Sequence, residues 1–137
     1  MFKMNLKKII SNTFIILIIF LMDRLSKIYI LKIAESEAKV DIYINSYLNF
    51  YLIWNKGIAF GFFSFEETII YQIISLVIFI ISCVIIFMIV KSEGLKKYSL
   101  ILILGGAIGN LFDRIYYSAV PDFIDLHING FHWFIFN

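Results

Sequence analysis

Between Gly105 and His127 the chain reads GGAIGNLFDRIYYSAVPDFIDLH, which gathers three glycines, one asparagine, one arginine and three aspartates into 23 residues. Asp122 is the one best placed for chemistry. Pro121 before it fixes φ, and Val120, Phe123 and Ile124 surround it in sequence. An apolar rim penalises the charged form of a carboxyl and raises its pKa. With a second carboxylate close by, one of the two keeps its proton near neutral pH, which is the condition for acid–base activation of a water. Asp125 sits in an alternating run and reads instead as a solvated loop aspartate.

The remaining polar groups each have a bland use and a chemical one. Asn110 is an amide near the end of an apolar segment. Each unmet polar group in hydrocarbon costs several kcal/mol, so it either glues helices together or serves a site. Asp113 and Arg114 close the same segment, as an interfacial ion pair would, and Asp23 and Lys27 lie one helical turn apart with the carboxylate first. Gly105 and Gly109, four residues apart, form a small-xxx-small pattern that lets two helix backbones approach closely. In WNKGIAFGFF (54–63), Asn55 and Gly57 stand among aromatics. That is an interfacial aromatic belt with a turn, or an amide and open backbone able to receive an extended peptide. His127 and His132 are candidate cross-strand neighbours around Asn129-Gly130, but no third ligand has metal-site spacing, so no metal is expected. No cofactor fingerprint, phosphate loop, Gly-x-Ser-x-Gly or Ser/His/Asp order is present.

These residues need elements to hold them, and composition says what kind. The chain is 61% hydrophobic and 16% charged, where a soluble domain carries about a quarter of its residues as charge. Thr68–Val90 is a run of 23 uncharged residues, enough at about 1.5 Å per residue to cross roughly 30 Å of hydrocarbon. A single multi-pass membrane domain over residues 1–137 follows, with spans near 9–30, 68–90 and 98–115. The N-terminus has lysines before an apolar stretch but no small-x-small cleavage pattern, and reads as an uncleaved first span. Cys83 lies mid-span as a small apolar side chain. A net charge of +2 gives no reason to expect nucleic acid.

Lys3, Lys7 and Lys8 precede the first span, and Lys91, Lys96 and Lys97 crowd the loop between the second and third. The positive-inside rule puts both on the cytoplasmic side. The polar stretch 32–67, the 113–132 segment, Asp23 and Lys27 then converge on the outer side. There DIYINSYLNFYLIWN alternates with period two and predicts a small β-element. DFIDLHINGFHW alternates too and can close a hairpin at Asn-Gly, while a competing reading starts a fourth helix near Phe131.

Taken in order, MDRLSK (22–27), NKGIAFGF (55–62), GGAIGNLFDR (105–114), VPDFID (120–125) and the terminal FN (136–137) resemble the signal peptidase II family of bacterial lipoprotein signal peptidases. The resemblance spans nearly the whole chain. It implies a four-helix transmembrane bundle in the bacterial inner membrane and an aspartyl endopeptidase. Such an enzyme cleaves prolipoproteins before their diacylglyceryl-modified cysteine, acts as a monomer, meets its substrate among membrane lipids and uses neither metal nor cofactor. Asp122 falls on the first aspartate of the family's catalytic dyad, with Pro121 departing mildly from the usual Val-Val-Asp-Phe. Asp23, Lys27, Asn55, Gly57, Asn110, Asp113 and Arg114 fall on its substrate-binding and supporting surroundings. Asn137 falls on the asparagine of the Phe-Asn-x-Ala-Asp block, so the second aspartate is expected just beyond it, and these 137 residues alone are not expected to cleave. The rival reading is a small membrane carrier or proton-relay subunit using intramembrane carboxylates.

Overall fold

The computed structural model describes residues 6–37, 39–57 and 68–137. Helix α1 is Leu6–Glu37, followed by strands β1 (Asp41–Asn45) and β2 (Leu48–Asn55), helices α2 (Thr68–Lys91) and α3 (Gly94–Tyr117), and strands β3 (Val120–Ile128) and β4 (Phe131–Phe136). Each helix extends past the bounds expected from hydropathy. α1 has 32 residues and so a length of about 48 Å. No proline or glycine interrupts it, and Asp23, Arg24 and Lys27 are paired inside the protein rather than ending the helix.

The segments Tyr71–Lys91, of mean hydropathy 3.4, and Gly94–Tyr117, of mean hydropathy 1.3, are both long and apolar enough to cross a membrane. Much of their apolar surface faces outward: Ile69, Leu76, Phe79 and Phe87 on α2 are all at least half exposed. Water would not tolerate a stripe that long, but lipid does. α3 lies against both α1 and α2. Ile85 and Ile89 of α2 meet Ile101 and Leu104 of α3, and Ile15, Ile16 and Ile19 of α1 pack onto that cluster.

The four strands form one antiparallel sheet whose spatial order β1-β2-β3-β4 is also the chain order. β2 and β3 are direct neighbours although α2 and α3 intervene between them in sequence. The sheet packs on the end of α1 through Ile30, Val40 and Phe123, the small β-element expected there. The segment from Phe131 is β4 and not the start of a fourth helix. Asn129 and Gly130 both take positive φ, 50° and 80°, and connect the register pair Ile128↔Phe131. This two-residue turn matches strand twist, and the aromatic, β-branched FHWFIF pairs with β3 rather than coiling.

Candidate active site

α1 and α3 meet through a buried set of charges. Asp113 of α3 is wholly buried. Its two oxygens accept from Arg24 Nη1 at 2.5 Å and Lys27 Nζ at 2.6 Å. Lys27 also bonds Asp23 at 2.7 Å and donates to Asn110 Oδ1 at 2.7 Å, while Arg24 Nη2 pairs with Asp23 at 2.6 Å. Two carboxylates and two cations leave the group neutral, and Asn110 accepts the further lysine proton. Buried ions persist only when paired and hydrogen-bonded in this way. The guanidinium of Arg24 also lies 4.8 Å from the Phe112 ring centre.

The glycines permit this approach. A Cβ on Gly105 would lie 2.6 Å from Ile19 Cγ2, and one on Gly109 would fall onto the Asp23 carboxylate, whereas Gly106 faces open space. The small-xxx-small spacing is therefore a contact with α1.

One layer outward, β3 carries Asp122 with 3% of its surface exposed. Its Oδ2 accepts from Asn55 Nδ2 at 2.8 Å, and its Oδ1 from Asn137 Nδ2 at 2.5 Å. The sheet makes this meeting possible. Asn55 ends β2 opposite Val120, the first residue of β3, and Asp122 is in register with Ile53. Asn55 Oδ1 accepts from the Gly57 backbone N–H at 2.8 Å. Gly57 O in turn accepts from Arg114 Nη2 at 2.9 Å, and Arg114 Nη1 reaches the Asn110 carbonyl at 3.4 Å. Tyr71 of α2 donates to the Arg114 carbonyl at 3.2 Å. Buried Arg114 Nε has no hydrogen-bond partner among the described residues.

Burial pushes the Asp122 carboxyl above the ordinary aspartate range. The hydrogen bonds from Asn137 and Asn55 and the positive charges of Lys27 and Arg114 pull the other way and do not offset it. A carboxyl so placed can hold a proton closer to neutral pH than a solvated one, as an acid–base group must.

The nine residues expected at the site thus separate into two adjoining sets. Asn55, Gly57, Arg114 and Asn137 surround Asp122, directly or through one contact. Asp23, Lys27, Asn110 and Asp113 form the ion network beneath it. Within NKGIAFGF, Asn55, Lys56 and Gly57 are described, and residues 58–62 lie outside the described residues. Sequence reasoning passed over Arg24, although two buried aspartates with one lysine leave a charge to be balanced. It also passed over Tyr71. Asp125 is corrected outright. It is 3% exposed: β2 and β4 flank it at Asn49 and Ile135, and by strand alternation it shares a face with Phe123, which packs against Ile30 of α1. Its Oδ2 is hydrogen-bonded to His132 Nδ1 at 2.8 Å.

Two helices apolar enough to cross a membrane stand beside a small sheet that holds a buried carboxyl between two amide donors, the frame of a membrane protein. The chain belongs to the signal peptidase II family, whose model, described as signal peptidase (SPase) II, matches residues 15–137. It is similar to the lipoprotein signal peptidase of Pelagibacter ubique (strain HTCC1062), with 56% identity over 135 residues covering 98% of this chain and 81% of that protein. The lipoprotein signal peptidase of Anaplasma phagocytophilum (strain HZ) is 36% identical over 135 residues, covering 96% of this chain and 83% of its own. Two solved structures of a bacterial membrane enzyme superpose with TM-scores of 0.71 and 0.70 at 26% and 25% identity. Each covers 93% of this chain, and 76% and 81% of their own chains respectively are matched.

Proposed function

We propose that this membrane protease removes signal peptides from diacylglyceryl-modified prolipoproteins by cutting before the lipid-bearing cysteine, with Asp122 as a catalytic carboxyl. Membership of the signal peptidase II family supplies the reaction. The observation that supports the assignment of Asp122 is its burial between Asn55 and Asn137 with a raised pKa.

In the mechanism, an ionised carboxylate takes a proton from water as the water attacks the scissile carbonyl. A protonated carboxyl donates to the developing oxyanion, and the proton then passes to the leaving amine. The second carboxyl is the other aspartate of the dyad that the family pattern implies. Arg114 holds the Gly57 carbonyl and keeps Nε as a donor for peptide or lipid oxygens. The ion network fixes α1 against α3 and acts on the substrate only through that placement. The enzyme lies in the bacterial inner membrane with the N-terminus cytoplasmic and the sheet on the outer face, in accord with the lysines of 7–8 and 91–97. It works as a monomer, with the bilayer holding the substrate's acyl chains.

Asp122→Asn in the full-length protein should abolish processing and accumulate lipid-modified precursor in membranes while the protein is still produced. Continued cleavage by that variant would remove Asp122 from the chemistry.

A further inference from the structure

We propose that Asp125, His127 and His132 form a binding site for a divalent transition metal of the Zn²⁺ type on the β3–β4 hairpin, distinct from the Asp122 site. One ligand atom from each of the three residues lies within 4.8 Å of the other two. His132 Nδ1 is 2.8 Å, and His127 Nδ1 3.8 Å, from Asp125 Oδ2. Tetrahedral zinc with bonds of about 2.0–2.2 Å separates its ligands by roughly 3.3–3.5 Å. The two distances bracket that value, so modest side-chain rotation suffices.

The backbone builds the arrangement. Residues 125 and 127 share a face of β3 by strand alternation. The pairing shifts by one between Asp125↔Ile135 and His127↔His132. Without that irregularity Trp133 would stand opposite His127, so the bulge is what brings the second imidazole over the first. The two rings stack with centroids 5.1 Å apart.

Pairing between Asp125 and His132 does not satisfy the cluster. Asp125 Oδ1 and His127 Nδ1 are both buried without a hydrogen-bond partner among the described residues. Unmet buried polar atoms of this kind are unfavourable, and one cation would serve both. Two imidazole nitrogens and a carboxylate oxygen suit Zn²⁺ and leave a fourth position for water. The His132 side chain is 57% exposed and the Asp125 side chain 4% exposed, so an ion has an entrance on one side and a fixed anionic floor on the other.

The test uses the full-length protein without an affinity histidine tract, in detergent, stripped with chelator and titrated with Zn²⁺ by calorimetry. One equivalent should bind. His132→Ala and His127→Ala should each weaken binding at least about tenfold, and Asp122→Asn should bind as the parent does. Zn²⁺ should raise the unfolding temperature of the parent but not of His132→Ala, with the two unfolding alike when metal-free. Absence of saturable binding at one equivalent, or parent-like binding by His132→Ala, would overturn the proposal. Neither readout involves proteolysis, so the result stands apart from that of the Asp122 experiment.

Discussion

Asp122 and Asp113 are both buried aspartates, and their partners give them opposite characters. Asp113 faces two cations at hydrogen-bond distance, while Asp122 faces two neutral amides. Asp113→Asn leaves Arg24 and Lys27 with one carboxylate between them and should destabilise the fold by roughly 3–5 kcal/mol. The pair Arg24→Met with Asp113→Leu keeps the remaining Asp23–Lys27 pair neutral and should recover part of that loss. Thermal unfolding in detergent measures both, and a strictly additive double variant would deny the coupling. Asp122 makes stability depend on pH. Its folded pKa lies above the unfolded value of about 3.9, so the native state binds the proton more tightly. Its contribution to stability is then greatest below the unfolded pKa and declines as pH rises through the folded one. The parent should therefore gain unfolding temperature relative to Asp122→Asn as pH falls toward about 4. A difference that does not change with pH would contradict the raised pKa.

Among the elements, α3 carries the most information. One flank of it holds Gly105, Gly109 and Asp113 against α1. Gly105→Ala should cost about 1–3 kcal/mol, because Ile19 presents its β-branched stem to the new methyl and cannot swing away. Gly106→Ala, which meets nothing within 4 Å, should stay within about 0.5 kcal/mol. Equal effects of the two in an unfolding series would show that α1 does not approach α3 along that line.

The elements also show where sequence is informative. The apolar run beginning at Thr68 and the Asn129-Gly130 turn are local signals, and α2 and the β3–β4 hairpin follow from them. Asp122 stood out because proline and apolar neighbours surround it in the chain itself. Arg24 did not, because its partner Asp113 is 89 residues away, and no local spacing announces such a pair. Asp125 misled for a related reason. Alternation tells which residues share a face of a strand and is silent on which face is covered. The choice between β4 and a fourth helix turned on β3 being available as a pairing partner, which the six residues FHWFIF do not disclose.

At the scale of the molecule, exposed hydrophobic surface on α2 and α3 is the solvent-facing side of a protein whose solvent is lipid. Phe79, at the middle of α2 and 52% exposed, should resist replacement by Arg by roughly 2.5–3.5 kcal/mol. Leu95, at the start of α3 and 87% exposed, should accept Arg with little effect. The share of chain that resists alkaline extraction from membranes reads this out, and equal retention of both variants would place α2 outside the hydrocarbon. The adjacency of β2 and β3 constrains the rest. Those strands flank the α2–α3 hairpin in the chain and bond to each other in space, and Tyr71 near the start of α2 reaches Arg114 near the end of α3, so both ends of the hairpin lie at the sheet. α1 delivers its C-terminal part to that same sheet, so residues 7–8 and the turn at 92–93 lie at the far end of the helices. Backbone pairing thereby ties three helix ends to one sheet, and under the proposed membrane placement the lysines have only to choose which way up the finished object sits.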